Sequence, residues 1–367
     1  MDKIILDGHK LLWHRERVEA WLGGERIAPI TIDCALTRRC TYRCVYCYGQ
    51  LQANDEKKMT RDVIFRFLDD AAEIGVKAIS FVSDGESTCS PHLYDAILRG
   101  KKNGLDMALG TNGYLLKEDN LEEILASLTY LRFNISAAEP SRYARIMGCQ
   151  EECFFKVCDN VKKCVEIKKK NNLDVTLGLQ MILLPSFKDQ IIPLAELGKE
   201  LGVDYLVIKH CSDDENHALG IDYSEYFGLT GLLKKAESYS GNNYLVKAKW
   251  SKILSRGERR YPRCYGPAFI MQFSGSGLVA PCGMLFNRKY KKYHIGNIAN
   301  DSLKKIWQSE RYWEVINFIG SEKFDAGTMC GSLCLQHKVN EYLWDLKNGK
   351  AVLRNMKGEP PLHVNFV

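Results

Sequence analysis

The chain has 367 residues, of which 46% are hydrophobic and 26% charged, a size and balance typical of a globular protein with one large domain and a smaller one. Its net charge of +6 is small for this length, so we expect no nucleic-acid partner. The N-terminus lacks the apolar core of a signal peptide, and no uncharged apolar run is long enough to span a bilayer. We therefore expect a cytoplasmic protein with no membrane partner.

Strand and helix patterns alternate along the chain after about thirty residues. Short apolar runs, often β-branched, predict six strands, at residues 29–36, 77–82, 106–110, 130–136, 174–184 and 204–209. Amphipathic patterns predict helices between them, at residues 60–75, 92–102, 120–127, 153–169 and 191–201. From about residue 240 onward the alternation is lost, and segments rich in aromatic residues, glycine and cysteine follow.

This order of elements predicts an α/β fold with a parallel sheet covered by helices. Six units are too few for an eight-stranded closed barrel, so a partial (β/α)6 barrel fits, although a doubly wound sheet would have the same local pattern. In either fold the chemistry is expected at the carboxyl ends of the strands. We predict an N-terminal extension at 1–28, the partial barrel at 29–239 and a smaller domain at 240–367.

Three of the fourteen cysteines, Cys40, Cys44 and Cys47, lie within eight residues, directly after the first predicted strand. In a chain expected to be cytoplasmic, clustered cysteines are better explained as metal ligands than as a disulfide scaffold. A compact loop can place three thiolates around one face of a [4Fe–4S] cluster, and the fourth iron then stays open to a ligand. The alternatives are a zinc site that lacks its fourth ligand and three unrelated core cysteines.

The spacing of three and then two residues between these cysteines resembles the signature of the radical S-adenosylmethionine (radical SAM) superfamily. The resemblance implies that the open iron chelates S-adenosylmethionine (AdoMet) and that one electron splits its sulfonium, giving methionine and a 5′-deoxyadenosyl radical. An electron donor such as flavodoxin or ferredoxin would supply that electron. Tyr46, directly before the third cysteine, matches the position of the family's aromatic residue near the adenine.

Further matches to the family stand at the ends of the next strands. Ser83-Asp84-Gly85-Glu86, after the second strand, resembles the family's Gly-Gly-Glu motif, whose backbone holds the amino group of AdoMet. Asp84 replaces the first glycine of that motif, and Ser87 replaces the proline that usually follows. The resemblance also assigns candidate AdoMet contacts to later strand ends, at Asn112, Ser136 and either Gln180 or Met181.

A second set of cysteines, Cys264, Cys282, Cys330 and Cys334, lies in the C-terminal part of the chain. Together with Gly277 and the segment Ile295-Gly296-Asn297-Ile298, it resembles the SPASM and twitch domains that follow some radical SAM barrels. Four cysteines suit one [4Fe–4S] cluster, which favours the shorter twitch form and predicts two clusters in all. A structural zinc site is the alternative, and His337 is close enough along the chain to compete as a ligand.

Three outcomes compete for the reaction, and we favour the dehydrogenation of a small polar substrate such as a sugar or cyclitol derivative. Lys209 or His210, at the end of the sixth strand, would take the hydroxyl proton, and the second cluster would take an electron. In an epimerisation, a thiol would instead return a hydrogen from the opposite face of the substrate. Cys211, Cys89 and Cys149 are the candidates for that thiol.

Modification of a ribosomal peptide ranks third, because the chain has no obvious leader-binding domain and no full SPASM domain. Outside radical chemistry, a plain electron-transfer iron–sulfur protein would not need six strand–helix units. A zinc-ribbon module that binds nucleic acid would have a stronger basic stripe. The sequence therefore predicts a radical SAM oxidoreductase, either a dehydrogenase or an epimerase.

Overall fold

The computed structural model describes residues 4–54, 57–331 and 333–367, and within these ranges it contains one open sheet of ten strands. The order across the sheet is β10-β9-β8-β1-β2-β3-β4-β5-β6-β7. Neighbouring strands from β8 through β7 run parallel, while β9 and β10 add antiparallel pairings at one edge. The strands are β1 (Thr31–Cys34), β2 (Ala78–Phe81), β3 (Asp106–Thr111), β4 (Leu128–Asn134), β5 (Thr176–Leu183), β6 (Tyr205–His210), β7 (Leu245–Ala248), β8 (Ile270–Phe273), β9 (Leu278–Ala280) and β10 (Gly296–Asn297).

Helices cover the outside of this sheet. The α2 helix illustrates why they form: the Thr60 hydroxyl accepts the Val63 N–H at its start, and its apolar side chains recur on the buried face. The helices are α1 (Arg15–Leu22), α2 (Arg61–Glu73), α3 (Leu93–Lys102), α4 (Leu121–Ser127), α5 (Pro140–Met147), α6 (Glu152–Lys170), α7 (Ile191–Leu201), α8 (Thr230–Glu237), α9 (Trp250–Ile253), α10 (Leu303–Gln308), α11 (Glu310–Ile319) and α12 (His337–Lys347).

The predicted α/β fold with a partial barrel is confirmed, and the six predicted strands correspond to β1 through β6. The sheet also continues past residue 240, because β7 pairs with β6 and β8 pairs with β1. The sequence concealed β7 because it has only four residues and includes Lys247 among its apolar positions. The boundary at residue 240 therefore separates strands of one sheet, and the domain limits at 28/29 and 239/240 stay predictions.

The C-terminal segment closes the barrel interior at the amino ends of the parallel strands. The side chain of Phe366 is 8% exposed and packs edge-on against Tyr130, with ring centroids 4.9 Å apart. The Thr31 hydroxyl, at the start of β1, donates to the Asn365 carbonyl at 2.6 Å. His363 lies 2.9 Å from the Thr176 hydroxyl at the start of β5. The open end of the barrel interior is therefore the opposite one, where the strands finish.

We expect Phe366→Ala to lower the thermal unfolding temperature, because the substitution leaves a cavity beneath Tyr130 at a cost of about 3 kcal/mol. Differential scanning calorimetry of the anaerobically purified protein measures the change. The matched control is Val352→Ala, whose side chain is 71% exposed. Equal melting temperatures for the two variants would contradict a packing role for the C-terminal segment.

Candidate active site

A cavity of about 450 Å³ opens at the carboxyl ends of the parallel strands. Its wall includes all three cysteines of the N-terminal set and Cys334 from the C-terminal set. Most of the predicted site residues also line it: Tyr46, Ser83, Asp84, Gly85, Glu86, Asn112, Gln180, Lys209 and His210. One cysteine of the C-terminal set, Cys334, thus shares the wall of this cavity with the N-terminal cysteines.

The backbone of the loop that carries Cys40, Cys44 and Cys47 is hydrogen-bonded to the end of α5. The backbone N–H of Arg43 donates to the Met147 carbonyl at 3.2 Å, and that of Val45 donates to the Ile146 carbonyl at 2.9 Å. Burial raises the pKa of the Cys44 thiol, and the neighbouring Cys47 and Cys40 raise it further. Three adjacent thiols of this kind fit an iron–sulfur cluster, since bound metal ions deprotonate coordinating thiols outright.

The C-terminal cysteines form a second group of neighbouring sulfurs. Burial raises the pKa of Cys282 well above its ordinary value, and Cys330, Cys334 and Cys264 add to the rise in that order. The four sulfurs therefore lie near enough to influence one another, and four cysteines are the donor set that would hold a [4Fe–4S] cluster. Among the described residues, no three Cys, His, Asp or Glu side chains converge tightly enough to bind one metal ion.

Polar neighbours surround the second cysteine group. The Arg259 guanidinium lies 3.9 Å from the Cys330 sulfur, and the Asn340 amide lies 3.7 Å from the Cys264 sulfur. His337, considered as a competing ligand, is 3.1 Å from the Tyr261 hydroxyl through Nδ1 and 3.6 Å from Glu341 through Nε2. Both of its ring nitrogens therefore face other side chains, and the four cysteines remain the candidate ligands.

Glu86 is a structural anchor rather than an open ligand of the cavity. Its buried carboxylate accepts hydrogen bonds from the Thr88 N–H and hydroxyl, the Thr111 hydroxyl and the Asn112 N–H, at 2.7 to 3.0 Å. The Asn112 side chain in turn donates to the Thr41 hydroxyl at 2.9 Å. Glu86 thus fastens the end of β3 beside the cysteine loop.

The departure from the Gly-Gly-Glu motif has a structural reason. The Asp84 carboxylate accepts from the Ser274 hydroxyl at 2.6 Å and the Gly275 N–H at 2.8 Å, so it binds the turn between β8 and β9. Gly85 and Gly275 both press against the backbone of Thr37, where any Cβ would clash. These contacts fix the chain as it leaves β1 toward Cys40, and they require glycine at both positions.

Tyr46 and its neighbours form a connected group at the cavity wall. The Tyr46 hydroxyl is 3.1 Å from the Met147 sulfur, and the Ser136 hydroxyl donates to it at 3.2 Å. Ser136 is itself buried behind Tyr46 and does not line the cavity. Of the two candidates on β5, Gln180 lines the cavity and Met181 is buried in the core on the other face of the strand.

The three predicted catalytic residues at and after the end of β6 do not all line the cavity. Lys209 and His210 contribute to the cavity lining and Cys211 does not, although His210 and Cys211 are equally buried, at 1% exposure each. The Cys211 sulfur faces the backbone carbonyls of Ser212 and Tyr46, at 3.6 and 3.8 Å. The other thiol candidates, Cys89 and Cys149, also lie outside the lining of this cavity.

The tautomer of His210 follows from its surroundings. Its Nδ1 is 2.6 Å from the Cys211 carbonyl, which can only accept a hydrogen bond, so Nδ1 carries the proton. Burial lowers the pKa of His210 well below its usual value, and nearby Lys252 lowers it further. The ring is therefore neutral near pH 7, and its buried Nε2, a bare acceptor, has no hydrogen-bond partner among the described residues.

Several cavity residues were missed by sequence reasoning: Asp33 on β1, Arg132 and Asn134 on β4, and Gln272 on β8. Each is a polar residue with an apolar residue on either side of it along the strand. Because successive side chains of a strand point to opposite faces, this pattern is the signal that could have identified them from the sequence. Burial raises the pKa of the Asp33 carboxyl to about 7, although Arg132, Gln272 and Lys209 each oppose the rise.

The comparisons with known proteins agree with this site. Residues 35–197 match the family model of the radical SAM superfamily, and residues 264–334 match the SPASM model, an iron–sulfur cluster-binding domain. The second match begins at Cys264 and ends at Cys334. The chain belongs to the radical SAM superfamily and carries a C-terminal SPASM domain, and this class uses AdoMet and iron–sulfur clusters.

Two curated relatives align over most of the chain. The tungsten-containing aldehyde ferredoxin oxidoreductase cofactor-modifying protein of Pyrococcus furiosus is 24% identical over 76% of this chain and 80% of its own length. The AdoMet-dependent heme synthase of Methanosarcina barkeri is 24% identical over 77% of this chain and 83% of its own. Among solved structures, Streptococcus suis SuiB bound to S-adenosylmethionine superposes with a TM-score of 0.64 at 17% identity, covering 83% of this chain and 72% of SuiB, which shows the shared fold.

No helix within the described ranges combines the length and apolar character that crossing a membrane requires.

Anaerobically reconstituted protein is expected to hold about eight irons, because each set of cysteines fits one four-iron cluster. Cys40→Ala/Cys44→Ala/Cys47→Ala should lose about half of the iron and all cleavage of AdoMet under dithionite. Cys264→Ala/Cys282→Ala should lose the other half and retain some cleavage. Iron and zinc analysis with Mössbauer spectroscopy measures the outcome; wild-type protein with about four irons and one zinc would contradict the second cluster.

Proposed function

We propose that this radical SAM enzyme oxidises a small hydroxylated substrate, such as a sugar or cyclitol derivative, by two electrons. The observation that carries the proposal is the shared cavity, whose wall includes both the N-terminal cysteines and Cys334. A substrate in this cavity would lie between the two cluster sites. When bound, AdoMet and the two clusters would supply a 5′-deoxyadenosyl radical that takes hydrogen from carbon and an acceptor for the electron that the substrate radical gives up.

The protein's own contribution is the removal of the hydroxyl proton, and His210 is the better of the two candidate bases. It contributes to the cavity wall, and its neutral imidazole packs against Tyr223 and Tyr226, with ring centroids 5.2 and 5.8 Å apart. Its buried, unpartnered Nε2 is the atom that would accept the proton once substrate binding exposes it. Lys209 is the second candidate, since burial lowers its pKa well below the usual range and so favours its neutral form. The carbonyl of Cys211 would stabilise the imidazolium that forms, since it accepts a hydrogen bond from the Nδ1–H in both protonation states of the ring.

The position of the second cysteine group supports an electron transfer close to this base. The Ser212 hydroxyl, two residues after His210, donates to the Leu333 carbonyl at 2.9 Å, directly before Cys334. Proton and electron would therefore leave the substrate at the same end of β6. A protein donor such as flavodoxin or ferredoxin would reach the first cluster site from the surface, where Cys40 is exposed.

Two curated relatives, named as a cofactor-modifying protein and a heme synthase, support a small molecule as the substrate class. The alternative, peptide modification, has its support in the structure of SuiB bound to the precursor peptide SuiA. At 16% identity, the likeness to SuiB extends only to the fold. Epimerisation is the remaining rival, and the placement of Cys211 disfavours it. A thiol that returns hydrogen must reach the substrate, whereas the Cys211 sulfur faces two backbone carbonyls outside the cavity.

Turnover in D₂O decides between oxidation and epimerisation. We expect a product lighter by two hydrogens and without carbon-bound deuterium, from a panel of monosaccharides, cyclitols and their carboxylated and phosphorylated derivatives. Cys211→Ala should leave the yield unchanged, whereas Cys334→Ala should abolish it. Mass spectrometry gives the readout. A product of unchanged formula with one carbon-bound deuterium, lost in Cys211→Ala, would establish the epimerase instead.

We expect His210→Gln to slow substrate oxidation by about 10²- to 10⁴-fold, the usual loss when a general base is removed. The variant should still cleave AdoMet without substrate, because His210 acts only on the hydroxyl proton. Single-turnover quenched-flow assays compare product with 5′-deoxyadenosine, and Lys162→Gln on the exposed face of α6 is the control. An unchanged rate of oxidation would exclude His210 as the base.

A further inference from the structure

The charged groups on the cavity wall divide into paired and unpaired ones. The carboxylates of Glu86 and Asp84 are taken up by the donors described above. Arg38 is also engaged, since it donates to the Gln52 carbonyl at 2.9 Å and lies 3.4 Å from Asp84. Three charged side chains remain to face the interior: Arg132, Lys209 and Asp33. Two of them are cations.

Arg132 makes no salt bridge among the described residues, although it lies near enough to Asp33 to lower the pKa of that carboxyl. It stands on β4 between Gly110 of β3 and Gly178 of β5, and neither neighbour has a side chain that could pair with it. Its Nε is buried without a hydrogen-bond partner among the described residues. Because a buried guanidinium nitrogen without a partner is costly, its forked donors are available to a ligand that enters the cavity.

Lys209 belongs to a group of basic side chains beside the cavity. Burial lowers its pKa well below the usual range, and Lys252, Arg132 and Lys249 lower it further. Lys249 in turn lies near enough to Lys10 to lower the pKa of that residue as well, after burial. Basic side chains on β4, β6 and the segment after β7 therefore lie near one another, and a bound anion would favour the charged forms that burial and mutual repulsion disfavour.

The acidic groups of this region do not balance these cations. Asp33 is one carboxyl, and its amide neighbour Gln272 accepts the Gly283 N–H at 2.6 Å and so turns its NH₂ group toward Asp33. Asp7, which acts on Lys249 and Lys252, accepts hydrogen bonds from the backbone N–H and hydroxyl of Ser251. Two acidic side chains thus face Arg132 and four lysines, including Lys10, whose ammonium donates to the Phe366 carbonyl.

We infer that the substrate carries an oxyanion, a carboxylate or a phosphate, which Arg132 and Lys209 bind at the floor of the cavity. A planar guanidinium suits both groups because its parallel N–H donors match two oxygens of the anion. The inference rests on the proposed function only in treating this cavity as the substrate site.

The test is binding of simple oxyanions to the anaerobic holoenzyme saturated with AdoMet. Isothermal titration at constant ionic strength would use inorganic phosphate and succinate as probes and glycerol as the neutral control. We expect one or both anions to bind and glycerol not to bind. Arg132→Gln and Lys209→Gln should each weaken anion binding about tenfold or more, the loss of one charge-assisted hydrogen-bonding partner. Lys162→Gln removes an exposed charge and should change nothing.

Parallel measurements of AdoMet affinity separate this inference from its rival. If the two cations held the carboxylate of AdoMet, both Gln variants would weaken AdoMet binding and leave anion binding unchanged, which would overturn the inference. No anion binding by the wild type, or equal weakening in Lys162→Gln, would overturn it too. Arg132→Lys, which keeps the charge, should retain more anion affinity than Arg132→Gln at equal iron content, so misfolding cannot imitate the result.

The phosphate and succinate arms identify which oxyanion the site prefers. Binding requires no turnover, so the inference can fail while AdoMet-dependent oxidation is still observed. Conversely, anion binding that depends on Arg132 and Lys209 would stand if turnover in D₂O revealed an epimerase. The two proposals are therefore tested by separate readouts.

Discussion

The buried carboxylate of Glu86 is the contact on which the arrangement of the site depends. Removing a carboxylate from water is costly unless hydrogen bonds replace the lost solvation, and Glu86 accepts four. These bonds join the loop after β2 to the end of β3, and Asn112 continues the connection to Thr41 in the cysteine loop. The position of Cys40 relative to the strands is thus tied to one acidic side chain.

The sequence was sufficient for much of the fold because these elements rest on local patterns. The strand and helix periods predicted β1 through β6, and the spacing of Cys40, Cys44 and Cys47 predicted one compact loop. The roles of Asp84 and Glu86 were not accessible in this way. Asp84 binds Ser274, which is 190 residues away along the chain, and no local pattern reports such a pairing. A motif match located these residues but could not distinguish a ligand contact from an anchor.

The basic side chain of Arg132 in the cavity was not predicted, for a related reason. Arg132 interrupts an apolar strand, and a single charge in such a strand is equally typical of a solvent-facing position. Only the curling of the open sheet into a partial barrel makes its face an interior one. The packing of the C-terminal segment, with Asn365 and Phe366, could not be predicted either. So short a segment has no periodicity, and its partners Thr31 and Tyr130 are set by tertiary packing.

The packing of the C-terminal cysteines against the barrel links the two chemical tasks of the proposed oxidation. Gly331, between Cys330 and Cys334, fits against the backbone of Asp213 and Asp214 because it has no side chain. The same loop accepts the hydrogen bond from Ser212, so the cysteine group is attached to the segment that directly follows His210. A shift of this loop would move the electron acceptor and the base together. The reaction that benefits from such a constraint is one that removes a proton and an electron from the same carbinol, whereas an epimerisation requires a thiol that reaches the substrate.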